Sequence, residues 1–458
     1  MAAMSPFDAR PPRRSTARLL AAAFAIAVVA IACGVSPSAS PSAAPSAAPT
    51  ATPAPTATPG ATRTPGASAT PAPSGDAAAL YRQIEDQVVA ERGLPARERL
   101  EPTVLSEAEA RSRLKEQFEK DNPADEIAVA EETLKALGLL PADASLGDLL
   151  VDLLGSQVAG FYDPEAKEMF VVSRSGRIGA TEKVTFAHEF THALQDQSFG
   201  LEEIDVDAVG QGDRSLGRLT LVEGDATLLM TRWLAEHLTA AEIQELLVAD
   251  PKAQEQLAKM PAILRETLLF PYQQGLILVN GIWLEGGWQA VDRAYGRLPD
   301  STEQVLHPAK YAADEKPVEL PLDADALAKA MGAGWAETPT DTMGEFQLSV
   351  WLRENGVAAP AAGAAAAGWG GDRYVYLRGP DGAYALVLLT AWDSQADADE
   401  FLAAAKTAAS NLPGAAAARA VPTEGVDRLA DLVAVLVASD APTLARISKL
   451  ALAHAFAN

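Results

Sequence analysis

Two imidazoles stand four residues apart in His188-Glu189-Phe190-Thr191-His192, with a carboxylate beside the first. On an α-helix that spacing sets both rings on one face, one turn apart, as two nitrogen ligands of a tetrahedral Zn²⁺ require. Glu189, about 100° round the helix from His188, can serve a metal-bound water without becoming a ligand. The chain has five histidines, at 188, 192, 237, 307 and 454, so chance is a poor explanation of the pattern. From Thr181 to Gln197 there is no Pro or Gly, and Val184, Phe186, Ala187, Phe190, Ala193 and Leu194 give the body of a buried helix. The plainer alternative is an amphipathic helix whose histidines are only hydrogen-bonded.

A tetrahedral centre that keeps one position for water needs a third protein ligand. Glu223 lies 31 residues after His192, in Leu221-Val222-Glu223-Gly224-Asp225-Ala226-Thr227, within a second helical stretch from about Ser215 to Leu238 that also carries His237. Glu223 and His237 are 14 residues apart, roughly 21 Å along one helix, so they cannot share an ion. The polar loop Gly210-Gln211-Gly212-Asp213 permits an antiparallel return to the first helix and favours Glu223. His237, near a helix C-terminus, reads as a partner of the macrodipole or of solvent.

With these residues the chain resembles the gluzincins, thermolysin-like zinc metallopeptidases in which an HExxH helix and a Glu on a following helix hold the metal. Gly160-Phe161-Tyr162-Asp163-Pro164, Ala193-Leu194-Gln195-Asp196-Gln197, Ser301-Thr302-Glu303-Gln304-Val305-Leu306-His307-Pro308 and Gly368-Trp369-Gly370-Gly371-Asp372-Arg373-Tyr374 are similar to segments of an uncharacterised family of bacterial zincin-like lipoproteins. The similarity runs from about Ala77 to the C-terminus, and HEFTH is its mechanistically specific part. It implies zinc on His188, His192 and Glu223, with Glu189 as general base. Thermolysin-like enzymes commonly place an Asp four residues after the ligand Glu, where it supports a ligand His. Thr227 stands there in this chain, and Asp225, two residues on, points about 200° away.

Such a zinc ion would bring a bound water toward a neutral pKa and polarise a scissile carbonyl, and Glu189 would carry the water's proton to the leaving amine. The oxyanion needs a further donor. Candidates are His307 in its His-Pro turn, Tyr311 just after it, and Tyr272 beside Pro271, each of which also fits a purely structural place. Val158 to Tyr162 and Glu168 to Ser173 read as short strands around a turn at Asp163-Pro164-Glu165-Ala166-Lys167. Because an edge strand near the metal aligns extended peptides in gluzincins, this hairpin is either a substrate guide or scaffold.

Arg10, Arg13, Arg14 and Arg18 precede an uncharged run of 14 residues, Leu19 to Ala32. That is short for a membrane-spanning helix and reads as a signal peptide. The run ends Ala30-Ile31-Ala32-Cys33, and Cys33 is the sole cysteine, as in a bacterial lipobox where the Cys is lipidated after cleavage. Ala30 departs from the preferred Leu, and ordinary secretion or an uncleaved anchor are the alternatives. The Ala/Pro/Ser/Thr tract that follows, to about Gly75, cannot bury a core and is expected to be a disordered tether. The expected location is the extracytoplasmic face of the cell membrane, reached through lipidated Cys33.

The expected organisation is a signal peptide (1–32), lipidated Cys and linker (33–76), a helical N-terminal part (77–155), a zincin-like core (156–340) and a C-terminal domain (341–458). Helices are expected at Ala77–Arg92, Glu107–Lys120 behind a Ser106-x-x-Glu109 capping box, and Ala124–Leu137, with a long apolar stretch at Ala262–Ala294. Beyond an Ala/Gly/Pro run from Val357 to Gly371 come strands Arg373–Leu377 and Ala383–Thr390, helix Ala396–Ala409, strand Leu432–Ala438 and helix Thr443–Ala455. The fold class is therefore α+β: a mostly helical catalytic domain with a small sheet, then a small α+β domain for which a ferredoxin-like order is one arrangement. Trp369 and Asp372 read as packing residues or as a cover over the cleft.

The 37 basic and 61 acidic residues give a net charge of −24, and residues 1–32 hold four Arg and one Asp. The part beyond residue 32 is thus near −27, a balance that repels nucleic acid and suits a neutral or basic peptide or protein substrate. A membrane-anchored zinc metallopeptidase and a non-catalytic zincin-fold lipoprotein of binding or envelope assembly both fit. The intact Glu189 favours the enzyme.

Overall fold

A computed structural model describes residues 75–157, 159–173, 178–248, 251–421 and 432–454. The signal segment, Cys33, most of the linker and Val158 lie outside the described residues. The chain begins with α1 (Gly75–Arg92), β1 (Thr103–Leu105), α2 (Glu107–Asp121), α3 (Ala124–Ala136) and α4 (Leu146–Gln157). At the start of α2, Ser106 accepts the Glu109 N–H and the Glu109 carboxylate accepts the Ser106 N–H, the reciprocal cap that the sequence signals. β2 (Gly160–Asp163) and β3 (Glu168–Val172) form an antiparallel hairpin that β1 joins in parallel, giving the order β1-β3-β2 with β2 at an edge.

Next come α5 (Ala180–Phe199), α6 (Gly212–His237), α7 (Ala240–Leu247), α8 (Pro251–Lys259) and α9 (Ala262–Ala294). α5 is covered nearly all round, and its buried residues include Glu182, His188, Glu189 and Gln195 as well as the apolar ones. Phe186, Ala187, Phe190 and Leu194 share a core with Tyr81, Ile84 and Val88 of α1, Met169 and Val171 of β3, Met230 and Trp233 of α6, and Tyr272 of α9. α6 and α9 cross at backbone contact: a Cβ on Gly224 would stand 2.4 Å from the Gly275 carbonyl oxygen, and one on Gly275 would stand 2.4 Å from that of Thr220. Only glycine permits this approach, and it sets the turn bearing Glu223 against the turn bearing Tyr272.

The remainder is α10 (Thr302–Leu306), α11 (Pro308–Ala313), α12 (Ala324–Met331), β4 (Ala336–Glu337), α13 (Gly344–Glu354), α14 (Ala359–Ala366), β5 (Trp369–Arg378), β6 (Tyr384–Trp392), α15 (Gln395–Ser410), β7 (Ala415–Val421), β8 (Leu432–Ala438) and α16 (Ala441–His454). Its antiparallel sheet has the order β4-β5-β6-β8-β7. Alternate residues serve opposite faces. Leu386, Leu388, Val433 and Val435 pack on Phe401 and Ala405 of α15, in one core with α2–α4 and α13. Val387, Leu389, Ala434 and Leu436 pack on Ile447 and Ala451 of α16. α15 thus lies on one face of the sheet, and α16 with α12 on the other.

The fold is α+β, mostly helical with two small sheets. Among the described residues no helix is long and apolar enough to cross a membrane. Trp369 and Asp372, on β5, pack against the start of α13. Asp372 accepts the N–H groups of Met343 and Gly344 at 2.8 and 2.7 Å and the Trp369 indole N–H at 3.1 Å. Nearby, Asp341 accepts the Gly212 N–H at 2.7 Å, fastening this region to the first residue of α6.

Candidate metal centre

His188 and His192 leave α5 one turn apart, and Glu223 faces them from α6. The two Nε2 atoms are 3.0 Å apart, and Glu223 Oε2 lies 3.3 Å from His188 Nε2 and 3.4 Å from His192 Nε2. All three residues are buried, and Glu223 Oε2 has no hydrogen-bond partner at normal geometry. Tetrahedral zinc, with bonds of about 2.0–2.1 Å, sets neighbouring ligand atoms about 3.3–3.4 Å apart. The donor set and its spacing therefore fit that ion, with a fourth position left for water. Burial lowers both histidines, but on His192 Glu223, with Glu189 and Gln195, offsets it and raises the ring to about 9, whereas His188 stays lowered.

A hydrogen-bond chain orients His192. Its Nδ1 lies 2.8 Å from Gln195 Oε1, and Gln195 Nε2 donates to the Val222 carbonyl at 3.0 Å and to Asp225 Oδ2 at 3.1 Å. Both of those partners only accept, so the amide must turn its oxygen to the imidazole; Nδ1 then carries a proton and Nε2 is the nitrogen aimed at Glu223 and His188. Asp225 is fixed in turn by Arg92 at 2.8 and 3.0 Å and by the Tyr295 hydroxyl at 2.8 Å. Arg92 is fully buried, also donates to Asp292 at 2.7 Å, and stacks over Trp288. Asp225 is not one of the three clustered residues, but it accepts from Gln195 and so reaches His192 through it. Thr227, in the place where thermolysin-like enzymes commonly carry an Asp, makes no hydrogen bond through its hydroxyl. His188 is held less closely: the Ala226 backbone is its polar neighbour, its Nδ1 makes no hydrogen bond at normal geometry, and its ring lies 6.2 Å from that of Tyr272.

Glu189 is the other buried group. Its Oε2 accepts the Tyr162 N–H at 3.0 Å, so edge strand β2 sets the carboxylate. Burial pushes Glu189 up to about 7, against the pull of His192 and with the push of Glu223. The hairpin turn is tied down close by, where Asp196 on α5 holds the Tyr162 hydroxyl at 2.8 Å and Lys167 at 2.6 Å. A cleft of about 410 Å³ opens onto Glu189, His192 and Glu223 and is walled by Phe161, Tyr162, Leu201, Leu219 and Val222.

Residues 331–448 match the model of a domain of unknown function, DUF8575. The match covers the end of α12 to within α16 and contains none of the three metal-facing residues. No curated protein and no solved structure matches the chain.

The structure brings His188, Glu189, His192 and Glu223 together, with Tyr272 beside them, and places His307, Tyr311 and His237 elsewhere. His307 gives Nε2 to both oxygens of Glu345 at 2.9 Å, linking the α10–α11 corner to α13. Tyr311 donates to the Arg297 carbonyl at 2.8 Å and packs with Leu216, Phe270, Leu278 and Val305. Neither lines the cleft. Local contacts govern both, because a loop residue's reach cannot be inferred from its sequence neighbours. Tyr272, wholly buried, is hydrogen-bonded to Glu223 and lies beside His188. His237 packs beside Trp233, away from the metal group. Gln195 and Arg92 carried no expected role. The signal for Gln195 was present, since position i+3 from His192 lies on the same helix face.

Proposed function

We propose that the protein is a gluzincin-like zinc metallopeptidase, exported and anchored to the membrane through lipidated Cys33, that hydrolyses peptide bonds in a peptide or protein substrate. The convergence of His188 Nε2, His192 Nε2 and Glu223 Oε2 within 3.0–3.4 Å, beside a buried Glu189, carries this reading. His188, His192 and Glu223 would hold the zinc, which would supply an acidified water and a Lewis-acid contact for the carbonyl oxygen.

The chain's own residues account for the rest. Gln195 fixes the His192 tautomer, and Tyr272 braces Glu223. Tyr162 N–H holds Oε2 of Glu189, leaving Oε1 to take the attacking water's proton and return it to the amine nitrogen as the C–N bond breaks. A carboxyl near 7 suits both transfers at neutral pH. Phe161 and Tyr162 bring edge strand β2 into the cleft wall, where an extended peptide can lie alongside it. Glu165, Glu202 and Asp207 line the same cleft and no Lys or Arg does, which disfavours acidic substrates.

The test is digestion of an unfolded protein substrate by the full chain before chelation, after chelation, and after zinc is restored. Loss and recovery of cleavage is the expected result. Cleavage that is indifferent to the chelator would exclude the proposal.

A further inference from the structure

A helix face turned to solvent is ordinarily polar. On α9 the inward face carries Tyr272, Gly275 and Val279, which pack against α5 and α6. The opposite face carries Ile277, Gly281 and Leu284, at i, i+4 and i+7, and is apolar. Ile277 and Leu284 are 63% and 70% exposed, and a Cβ on Gly281 would meet nothing within 4 Å, so among the described residues nothing covers this stripe. Just beyond it Gly286 and Gly287 leave helical geometry, Gly287 in a left-handed conformation with open space around it, and Leu284 stands at that corner. Trp283 and Trp288 border the stripe, half-buried. Their rings meet edge-on at 6.4 Å, and Arg232 and Arg92 stack on them at 4.3 and 4.7 Å, which holds both indoles in place.

We propose that this face of α9 rests on the lipid bilayer, with Ile277 and Leu284 entering the apolar boundary and the two indoles at headgroup level. The size of the patch argues against a second copy or another stable protein partner. From Ile277 to Leu284 is about 10 Å, so one helix face offers roughly 200 Å², against about 800 Å² on each side of a stable protein interface. Two aliphatic side chains would hold a free protein to lipid only weakly, as a single myristoyl chain does. The inference therefore rests on the reading of Cys33 as lipidated. Gly75 lies 42 positions after Cys33, and a chain of that length spans roughly 35 Å as a coil. Every face of the folded part then stays within reach of the membrane, and a weak contact becomes an intramolecular one. No described helix is long and apolar enough to cross, so α9 lies on the surface. Beyond residue 32 the chain is near −27 and is repelled by anionic headgroups. Beside the patch the charges cancel, since Arg232 pairs with Glu91, Arg92 with Asp292, and Arg293 reaches Gly286 next to Glu285. Zwitterionic headgroups are the partner this suits. Gly275, on the inner side of α9, touches Gly224 beside Glu223, so the contact holds the metal-facing residues at a fixed height over the bilayer.

The test uses the full-length lipoprotein, isolated with its anchor and reconstituted in phosphatidylcholine vesicles. Cys33 is the sole cysteine, so once it is lipidated Leu284→Cys offers one thiol for an environment-sensitive fluorophore. Glu400→Cys, at an exposed position of α15, carries the same label as reference. Emission from position 284 should shift to the blue and be quenched by brominated acyl chains about twofold or more beyond emission from position 400. Ile277→Asp, two turns from the label and at an exposed position, should remove about half of that quenching or more without changing the thermal melt. Quenching alike at both positions, quenching at neither, or quenching that Ile277→Asp does not move overturns the contact and leaves the anchor standing. A blue shift at 284 that grows with protein per vesicle and resists the bromolipid also overturns it, because a second copy then covers the face. A mass showing no lipid on Cys33 overturns the anchor and the tethered contact together.

Discussion

Replacing Gln195 by Leu keeps the volume and removes three hydrogen bonds, to His192 Nδ1, the Val222 carbonyl and Asp225, at 2.8, 3.0 and 3.1 Å. At about 1 kcal/mol net for each, and with the buried acceptors left short of a donor, the metal-free protein should lose about 3–4 kcal/mol of stability. The effect on the metal is separate. An imidazole whose Nδ1 proton meets carbon is neither held in one tautomer nor polarised, and loss of such a partner typically costs 10- to 100-fold in metal affinity. Gln195→Glu restores an acceptor to His192 but places a carboxylate beside Asp225, so it should recover zinc affinity better than stability. Competition against a chromophoric chelator measures the first quantity, and urea unfolding of the chelated protein measures the second. Zinc affinity within twofold of the parent in Gln195→Leu, together with the stability loss, would show that Gln195 only packs. The orienting chain from Arg92 to His192 would then be wrong.

Gly224→Ala would force a Cβ to within 2.4 Å of the Gly275 carbonyl oxygen; separating α6 from α9 should cost about 1–3 kcal/mol and loosen zinc by parting Glu223 from Tyr272, as thermal melts with and without zinc would show. Asp225→Asn leaves buried Arg92 with only Asp292 as a charged partner and should destabilise the fold by about 3–5 kcal/mol in denaturant titrations. Asp213 is raised to about 7 by burial, and Asp372 and Glu345 add to the rise while Thr302 opposes it. Folding therefore takes up a proton there, and this group's contribution to stability falls as pH rises from about 4 to about 7. Asp213→Asn should accordingly be no better than the parent at pH 4.5 and more stable at pH 8; an unfolding difference that does not vary with pH would refute the assignment.

The grouping of His188, His192 and Glu223 was legible in the sequence because helical periodicity fixes it: four residues place two rings on one face, and the 14-residue gap on one helix separates Glu223 from His237. What supports them was less legible. Gln195 looks like any polar helix residue until Asp225 arrives from α6, and Arg92 reaches Asp225 across 133 positions of sequence. His307 and Tyr311 stood in a suggestive segment, but their contacts with Glu345 and Arg297 are tertiary facts. In the C-terminal region strand β8 was readable from its unbroken run of Leu, Val and Ala. β7, Ala415–Val421, is nearly all alanine and has little strand signature of its own; pairing with β8 makes it a strand. Helix α14 lies in a stretch that reads as an Ala/Gly/Pro linker, and buried Ala362, Ala365 and Ala366 show that small residues there serve close packing.

The most direct test of the peptidase assignment compares the full chain with Glu189→Gln at equal, measured zinc content on one fluorogenic protein substrate. One zinc per chain in both proteins is expected, with hydrolysis reduced at least ~100-fold in the variant, the scale of a lost general base. Equal rates in the two proteins, or no zinc in the parent, would contradict it.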